Sequence, residues 1–228
     1  MQINKIIALV PMRHHSQRVP GKNYRLLAGK PLFHYIIETL LQVPLISGIV
    51  VDTDSPVVIA QLEKDFPKVK VINRPQHLRA DIIPMNEILM YDTCQVPADL
   101  YLQTHSTNPL ITVESIHNAL QLMIAEYPAY DSLFSVTRIQ TRLWDSLARP
   151  INHNPSILLQ TQDLPPVFEE NSCFYIFARQ TLELRRTRIG ERPYLFEISK
   201  SEAWDIDEEE DFAIAEMMMK YRLNNKLV

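Results

Sequence analysis

The sequence predicts an α/β protein built on a mostly parallel, open twisted sheet with helices on both faces. Two observations carry that reading. Short apolar runs alternate with segments of helical periodicity from the N-terminus to about residue 136, the pattern of strand, helix and strand joined by right-handed crossovers. The first run, Ile-Ile-Ala-Leu-Val at 6–10, is unbroken, as expected of a strand buried on both faces. With 228 residues, 46% of them apolar and 22% charged, the chain fits a single domain, 1–228.

Strand 6–10 ends at Pro11. Residues 31–42 carry Leu32, Ile36, Ile37, Leu40 and Leu41 at helical spacing, and Pro31 suits a first helical turn. Strand 48–51, helix 56–66, strand 69–72 and helix 85–93 repeat the alternation, and strand 100–103, helix 113–126 and strand 132–136 continue it. Then the rhythm breaks. Segment 137–170 holds Pro150, Pro155, Pro165 and Pro166 without periodicity, so it is expected to leave the core, as a lid or an oligomer contact does. Strand 173–177 follows, and the chain closes with extended 203–206, an acidic turn and a helix over 208–222.

Lys plus Arg number 23 against 27 Asp plus Glu, for a net charge of −4. That balance argues against a nucleic-acid partner gripped through its phosphates and leaves small anionic ligands open. Cys94 and Cys173 are too few for a disulfide framework or a thiolate zinc site, which points to a reducing compartment. No 18-residue apolar run and no cleavage-site pattern are present; neither a membrane partner nor a signal peptide is expected, and a cytoplasmic location is. Glycine is scarce, at 4 residues, which draws attention to Gly21.

Gly21 sits in the segment 11–23, Pro-Met-Arg-His-His-Ser-Gln-Arg-Val-Pro-Gly-Lys-Asn, between the first strand and the first helix. Open α/β sheets bind ligands there. Arg13, Arg18 and Lys22, with the Ser16 hydroxyl and backbone N–H groups freed by a Pro-Gly turn, could surround a triphosphate; a basic surface loop is the plain alternative. The P-loop pattern is absent. Adjacent His14 and His15 point to opposite faces of an extended segment, which disfavours a shared metal.

Asp205 and Asp207, two apart on an extended segment, could both reach one hard cation such as Mg²⁺. Equally, Asp207 with Glu210 forms a helix-capping pattern. Asp52 and Asp54 have the same spacing, with a cap ahead of Pro56 as the alternative. The polar stretch 103–108, Gln-Thr-His-Ser-Thr-Asn, suits either a polyhydroxylated ligand or a capping loop. Arg185, Arg186, Arg188 and Arg192 form a basic run that reads as a solvated face. Met217, Met218 and Met219 read as core packing.

Taken together, segment 13–23, Gly29-Lys30-Pro31-Leu32, Asp52-Thr53-Asp54, Arg74-Pro75, Leu102-Gln103, Glu170-Asn171 and Asp205-Ile206-Asp207 resemble, in order and spacing, the acylneuraminate cytidylyltransferases. The likeness spans nearly the whole chain, and the string Arg-Val-Pro-Gly-Lys-Asn is its most specific part. It implies a Rossmann-like nucleotidyltransferase fold and transfer of CMP from CTP to a nine-carbon 2-keto sugar acid, with Mg²⁺. By matching positions, Arg13, Lys22 and Asn23 hold the CTP, Ser16 and Arg18 assist, and Arg74 lies near the nucleotide. Asp205 and Asp207 ligate the metal, Lys22, Arg13 and Asp207 serve catalysis, and Gln103 contacts the sugar acid.

The resemblance also implies a homodimer in which 137–170 is a dimerisation insertion. The chain departs from the family in three places. His14-His15 stand where Gly-Gly is common; the loop after Gln103 is two residues longer and lacks an Arg; Glu169, Glu170 and Asn171-Ser172 replace a basic residue and Asn-Gly, with Arg142 as a compensating cation near Asn171. Rival readings are the same fold acting on another sugar acid, such as 3-deoxy-manno-octulosonate, or a non-catalytic nucleotide-sugar-binding protein.

Overall fold

The computed structural model describes residues 3–225. In chain order the main elements are β1 (Ile6–Leu9), β2 (Leu26–Leu27), β3 (Lys30–Pro31), α1 (Leu32–Leu41), β4 (Gly48–Thr53), α2 (Pro56–Asp65), β5 (Lys70–Asn73), α3 (Met85–Gln95), β6 (Leu100–Thr104), α4 (Val113–Glu126), β7 (Ser132–Ile139), β8 (Val167–Phe177), α5 (Arg179–Arg185), β9 (Pro193–Glu197) and α6 (Glu209–Asn225). One sheet has the order β5-β4-β1-β6-β8-β7-β9. β5, β4, β1 and β6 are parallel neighbours, and β8 runs antiparallel to both β6 and β7.

The unbroken run of β1 is explained by its two faces. Ile6, Ala8 and Val10 pack with Ile36, Val58 and Leu120 of α1, α2 and α4. Ile7 and Leu9 pack on the other side with Leu89 of α3 and Leu182 of α5. A strand covered on both faces has no polar positions to alternate with.

From β1 the chain moves outward to β4 and β5, then returns to the opposite side of β1 as β6. The loops after β1 and β6 therefore diverge from adjacent strand ends, which opens a crevice at the switch point. The C-terminal helix closes it. Phe212, Ala215 and Met219 of α6 pack against Val19, Leu27 and Leu110, residues of those loops and of the β2/β3 hairpin, so the last helix clamps the first loop. Among the described residues no helix is long and apolar enough to cross a membrane.

Several expectations change. Segment 137–170 is not wholly irregular: β7 and β8 extend into it, with Val136 opposite Glu170 and Ile139 opposite Val167, so the excursion proper is 140–166. Segment 203–206 carries no strand; its Ile206 N–H instead bonds the Thr107 carbonyl at 3.0 Å. Pro31 ends a short strand and precedes α1 rather than entering it. Of the three methionines, Met219 is buried and Met217 is exposed. The hairpin β2/β3, α5 and β9 carried no sequence signal.

Candidate active site

The loop after β1 is shaped by one residue. Gly21 takes φ +68°, and a Cβ there would lie 2.9 Å from the Tyr24 ring, so only glycine turns the chain here without strain. The tight turn Lys22–Tyr24 follows. It directs Asn23 inward, where its Nδ2 donates to the Arg13 carbonyl at 2.7 Å and its Oδ1 accepts from Ser106 Oγ at 2.6 Å. Asn23 thus ties the β1 loop to the β6 loop.

Between those loops lies a cleft of about 400 Å³ lined by Arg13, Ser16, Arg18, Lys22 and Asn23, with His105, Ser106 and Asp81 opposite. Its cations are held by carboxylates. Arg13 Nη1 bonds Asp81 at 2.8 Å, and Arg18 bridges Asp207 at 2.8 Å and Glu208 at 3.1 Å. Lys22 donates to the Ile206 carbonyl, with Nζ 3.8 Å from Asp207 Oδ1. Burial draws the Lys22 pKa down while Asp205 and Asp207 oppose that. Ser16 Oγ accepts from the Val19 N–H at 3.4 Å, fixing the turn.

The capping alternative for Asp207 is resolved by Asp211, whose Oδ2 accepts from Asp207 N at 3.0 Å and Glu208 N at 2.8 Å. That leaves the Asp207 carboxylate to Arg18 and Lys22. Asp205 borders a second cleft of about 490 Å³, with Glu170, Ser172, Lys200 and Trp204. Its Oδ1 is buried without a partner, and burial raises its pKa against the pull of the Thr107 hydroxyl and Lys22. A buried, unpaired carboxylate oxygen beside a second carboxylate is the donor set a hard cation takes. Among the described residues no group of three or more His, Cys, Asp or Glu could hold a metal unaided, so phosphate oxygens and water would complete such a site.

Of the expected contacts, Arg74, Gln103 and Arg142 line neither cleft, whereas Asn171 lines the second. Arg74 is 1% exposed and bonds Asp52, so its guanidinium is sealed beneath the sheet edge and presents nothing to a nucleotide. Gln103 is fully buried, with Arg188 on its Oε1 and Thr104 O and His105 Nε2 at its Nε2; no group remains for a sugar. Asn171 fills the β7/β8 bulge at the wall of the second cleft, accepting from Ser135 Oγ at 2.6 Å and donating to Thr137 Oγ1 at 2.8 Å. Arg142 bonds the Leu159 carbonyl within the excursion and lines neither cleft.

The histidines do not point to opposite faces: their rings meet edge to face, with centroids 4.6 Å apart. His14 turns to Ser55 Oγ at 2.8 Å, and its N–H bonds Asp54 at 2.7 Å, while His15 faces the first cleft. Ser55 rather than Asp54 caps α2. The basic run is not uniformly a solvated face: Arg185 pairs with Glu191, but Arg188 turns inward over the Tyr175 ring, 3.5 Å from its centroid. Spacing alone cannot single out one arginine among four neighbours. Asp92, buried beside Asp52 on α3, also lacked any signal.

A family model described as Cytidylyltransferase matches residues 7–227. The N-acylneuraminate cytidylyltransferase A of Danio rerio is 25% identical over 225 residues, covering 92% of this chain and 50% of that protein. The CMP-N,N'-diacetyllegionaminic acid synthase of Legionella pneumophila is 30% identical over 230 residues, covering 95% of this chain and 97% of that protein. The chain therefore spans half the length of the first relative and nearly all of the second. A solved CMP:2-keto-3-deoxy-manno-octonic acid synthetase complexed with CTP has TM-score 0.72 at 18% identity, over 96% of this chain and 100% of that one, a likeness of fold.

Proposed function

The chain belongs to the cytidylyltransferase family, and from that premise we propose that it transfers CMP from CTP to the anomeric hydroxyl of a sialic-acid-like 2-keto sugar acid, releasing pyrophosphate. The observation that carries the reading is the meeting of Lys22 and Arg18 from the first loop with Asp207 from the last segment, at the switch point where such sheets take ligands.

In this reaction the sugar hydroxyl attacks the α-phosphorus and pyrophosphate departs, so negative charge grows on the leaving oxygens. Positioning and cationic stabilisation supply most of the rate. Arg13, Arg18 and Lys22 hold the triphosphate in the first cleft, with Ser16 and the turn before Gly21 as its floor. Each arginine is kept in place by a carboxylate until phosphate replaces that partner. When the triphosphate takes Arg18, Asp207 is released and joins Asp205 as an oxygen donor.

Asp205 and Asp207 are the residues that would hold Mg²⁺, which when bound offsets phosphate charge and makes the attacking hydroxyl more acidic. The second cleft takes the sugar acid, beside Asp205 and Ser172. Asn23 acts by fixing the two loops relative to each other.

The reading includes a homodimer working in the cytoplasm. Trp144, Leu147, Ile151 and Leu158 are exposed on the excursion, an apolar surface that a second copy would cover, bringing Arg142 toward the partner's sugar cleft.

The test is a pyrophosphate-release assay crossing four nucleoside triphosphates with several 2-keto sugar acids, with and without Mg²⁺. Release requiring CTP, Mg²⁺ and a nine-carbon sugar acid is expected. Preference for 3-deoxy-manno-octulosonate would move the assignment to that substrate. Thermal stabilisation by CTP with no pyrophosphate from any combination would make the chain a binding protein.

A further inference from the structure

Arg188 approaches from the loop between α5 and β9, stacks on Tyr175 and donates Nη1 to Gln103 Oε1. Guanidinium N–H groups only donate, so they select the oxygen of the Gln103 amide and turn its nitrogen the other way. That nitrogen donates to the Thr104 carbonyl at 3.1 Å and meets His105 Nε2 at 3.0 Å. An amide NH₂ accepts nothing. His105 Nε2 must therefore present its lone pair, and the ring proton sits on Nδ1. The imidazolium form is disfavoured twice over: by this contact, and by burial between Arg188 and Lys22, which pushes the His105 pKa down to about 3.

The His105 ring lines the first cleft beside Lys22 and Ser106, and its one hydrogen bond among the described residues is the Gln103 contact at Nε2. We propose that His105 donates its Nδ1–H to a phosphate oxygen of the nucleoside triphosphate, and that Arg188, acting through the Gln103 amide, is the positioning residue that keeps the ring in this donating tautomer. The proposal rests on the cytidylyltransferase reading. It gives buried Gln103 and Arg188 a task that neither performs by touching substrate. A neutral donor of fixed orientation strengthens as charge grows on the leaving phosphates and needs no reorganisation when it does.

Two measurements test it. Nitrogen NMR of the imidazoles in the wild-type chain, assigned by loss of a signal in His105→Asn, should show His105 protonated at Nδ1 and bare at Nε2 at neutral pH. Arg188→Met, checked for folding by its melting curve, should let both tautomers appear. Calorimetric titration with CTP should give His105→Asn, which can offer an N–H near the Nδ1 position, within about threefold of wild type, and His105→Leu weaker by about tenfold or more, the scale of one hydrogen bond to a charged group. A wild-type ring protonated at Nε2, or His105→Leu binding CTP as tightly as wild type, overturns the proposal alone. Failure of the wild-type chain to bind CTP removes the reading on which it rests.

Discussion

Lys22 Nζ lies 3.8 Å from Asp207 Oδ1 and donates to the carbonyl of the residue before it. These groups come from the first loop and the last segment, and nothing local draws them together. The contact exists because α6 packs Phe212, Ala215 and Met219 onto Val19, Leu27 and Leu110. Apolar burial at the far end of the chain thus sets the spacing between a cation of the cleft, Lys22, and the Asp207 carboxylate.

Asp207→Asn should lower turnover by roughly 100-fold, the scale of removing one stabilising group from a preorganised charged site. The fold should survive, because α6 is capped by Asp211 and Asp207 is half exposed. Steady-state kinetics beside a melting curve decide it. Full activity would take Asp207 out of the cation site.

A second prediction concerns Asp92, which burial and the neighbouring Asp52 carboxylate push up to about 9, partly offset by Arg74. Asp92 is therefore neutral in the folded chain at pH 7 and ionised in the unfolded one. The folded state binds the extra proton between the two pKa values, so the stability this group contributes is complete below about pH 4 and is lost as pH rises toward 9. Asp92→Asn should flatten the fall of melting temperature between pH 6 and 9. Arg74→Met should act oppositely and lower stability by about 3 to 5 kcal/mol, since Asp52 is then left buried without its cation. Parallel curves for wild type and Asp92→Asn would show that this proton is not held.

The parallel core was legible because burial on both faces leaves a mark in each strand: β1, β4 and β6 are apolar throughout their centres. The cationic loop that lines the first cleft was legible because Gly21 and three cations fall within one short segment. Arg74 and Gln103 suggest ligand contacts because a polar side chain near a strand end looks the same in sequence whether it faces a cleft or turns to a buried partner. Their partners, Asp52 and Arg188, come from another strand and a loop. Pairings of that kind are set by sheet register, which residue type alone does not encode.

The excursion yields a third prediction. Leu158 is 88% exposed and Trp144 52%, an arrangement that costs solubility unless another surface covers it. Sedimentation velocity of the wild-type chain should give twice the chain mass, and Leu158→Asp with Trp144→Asp should shift it to the single-chain value while the melting transition stays cooperative. A wild-type chain that sediments as a single copy at tens of micromolar would withdraw the dimer.

Gly21→Ala tests whether loop shape and cation placement are one property. An alanine at φ +68° costs about 1 to 2 kcal/mol in backbone strain, and its Cβ, 2.9 Å from the Tyr24 ring, must push that ring aside. Tyr24 ends the turn that begins at Lys22 and directs Asn23 inward. The displacement therefore reaches both the Lys22 ammonium and the Asn23 tie to Ser106. Affinity for CTP should fall by more than the loss of stability accounts for, a difference read by comparing calorimetric titration with denaturant unfolding of the same variant. If stability drops by the expected amount and CTP binding is unchanged, the turn at Gly21 serves folding alone and Lys22 reaches the cleft independently of it.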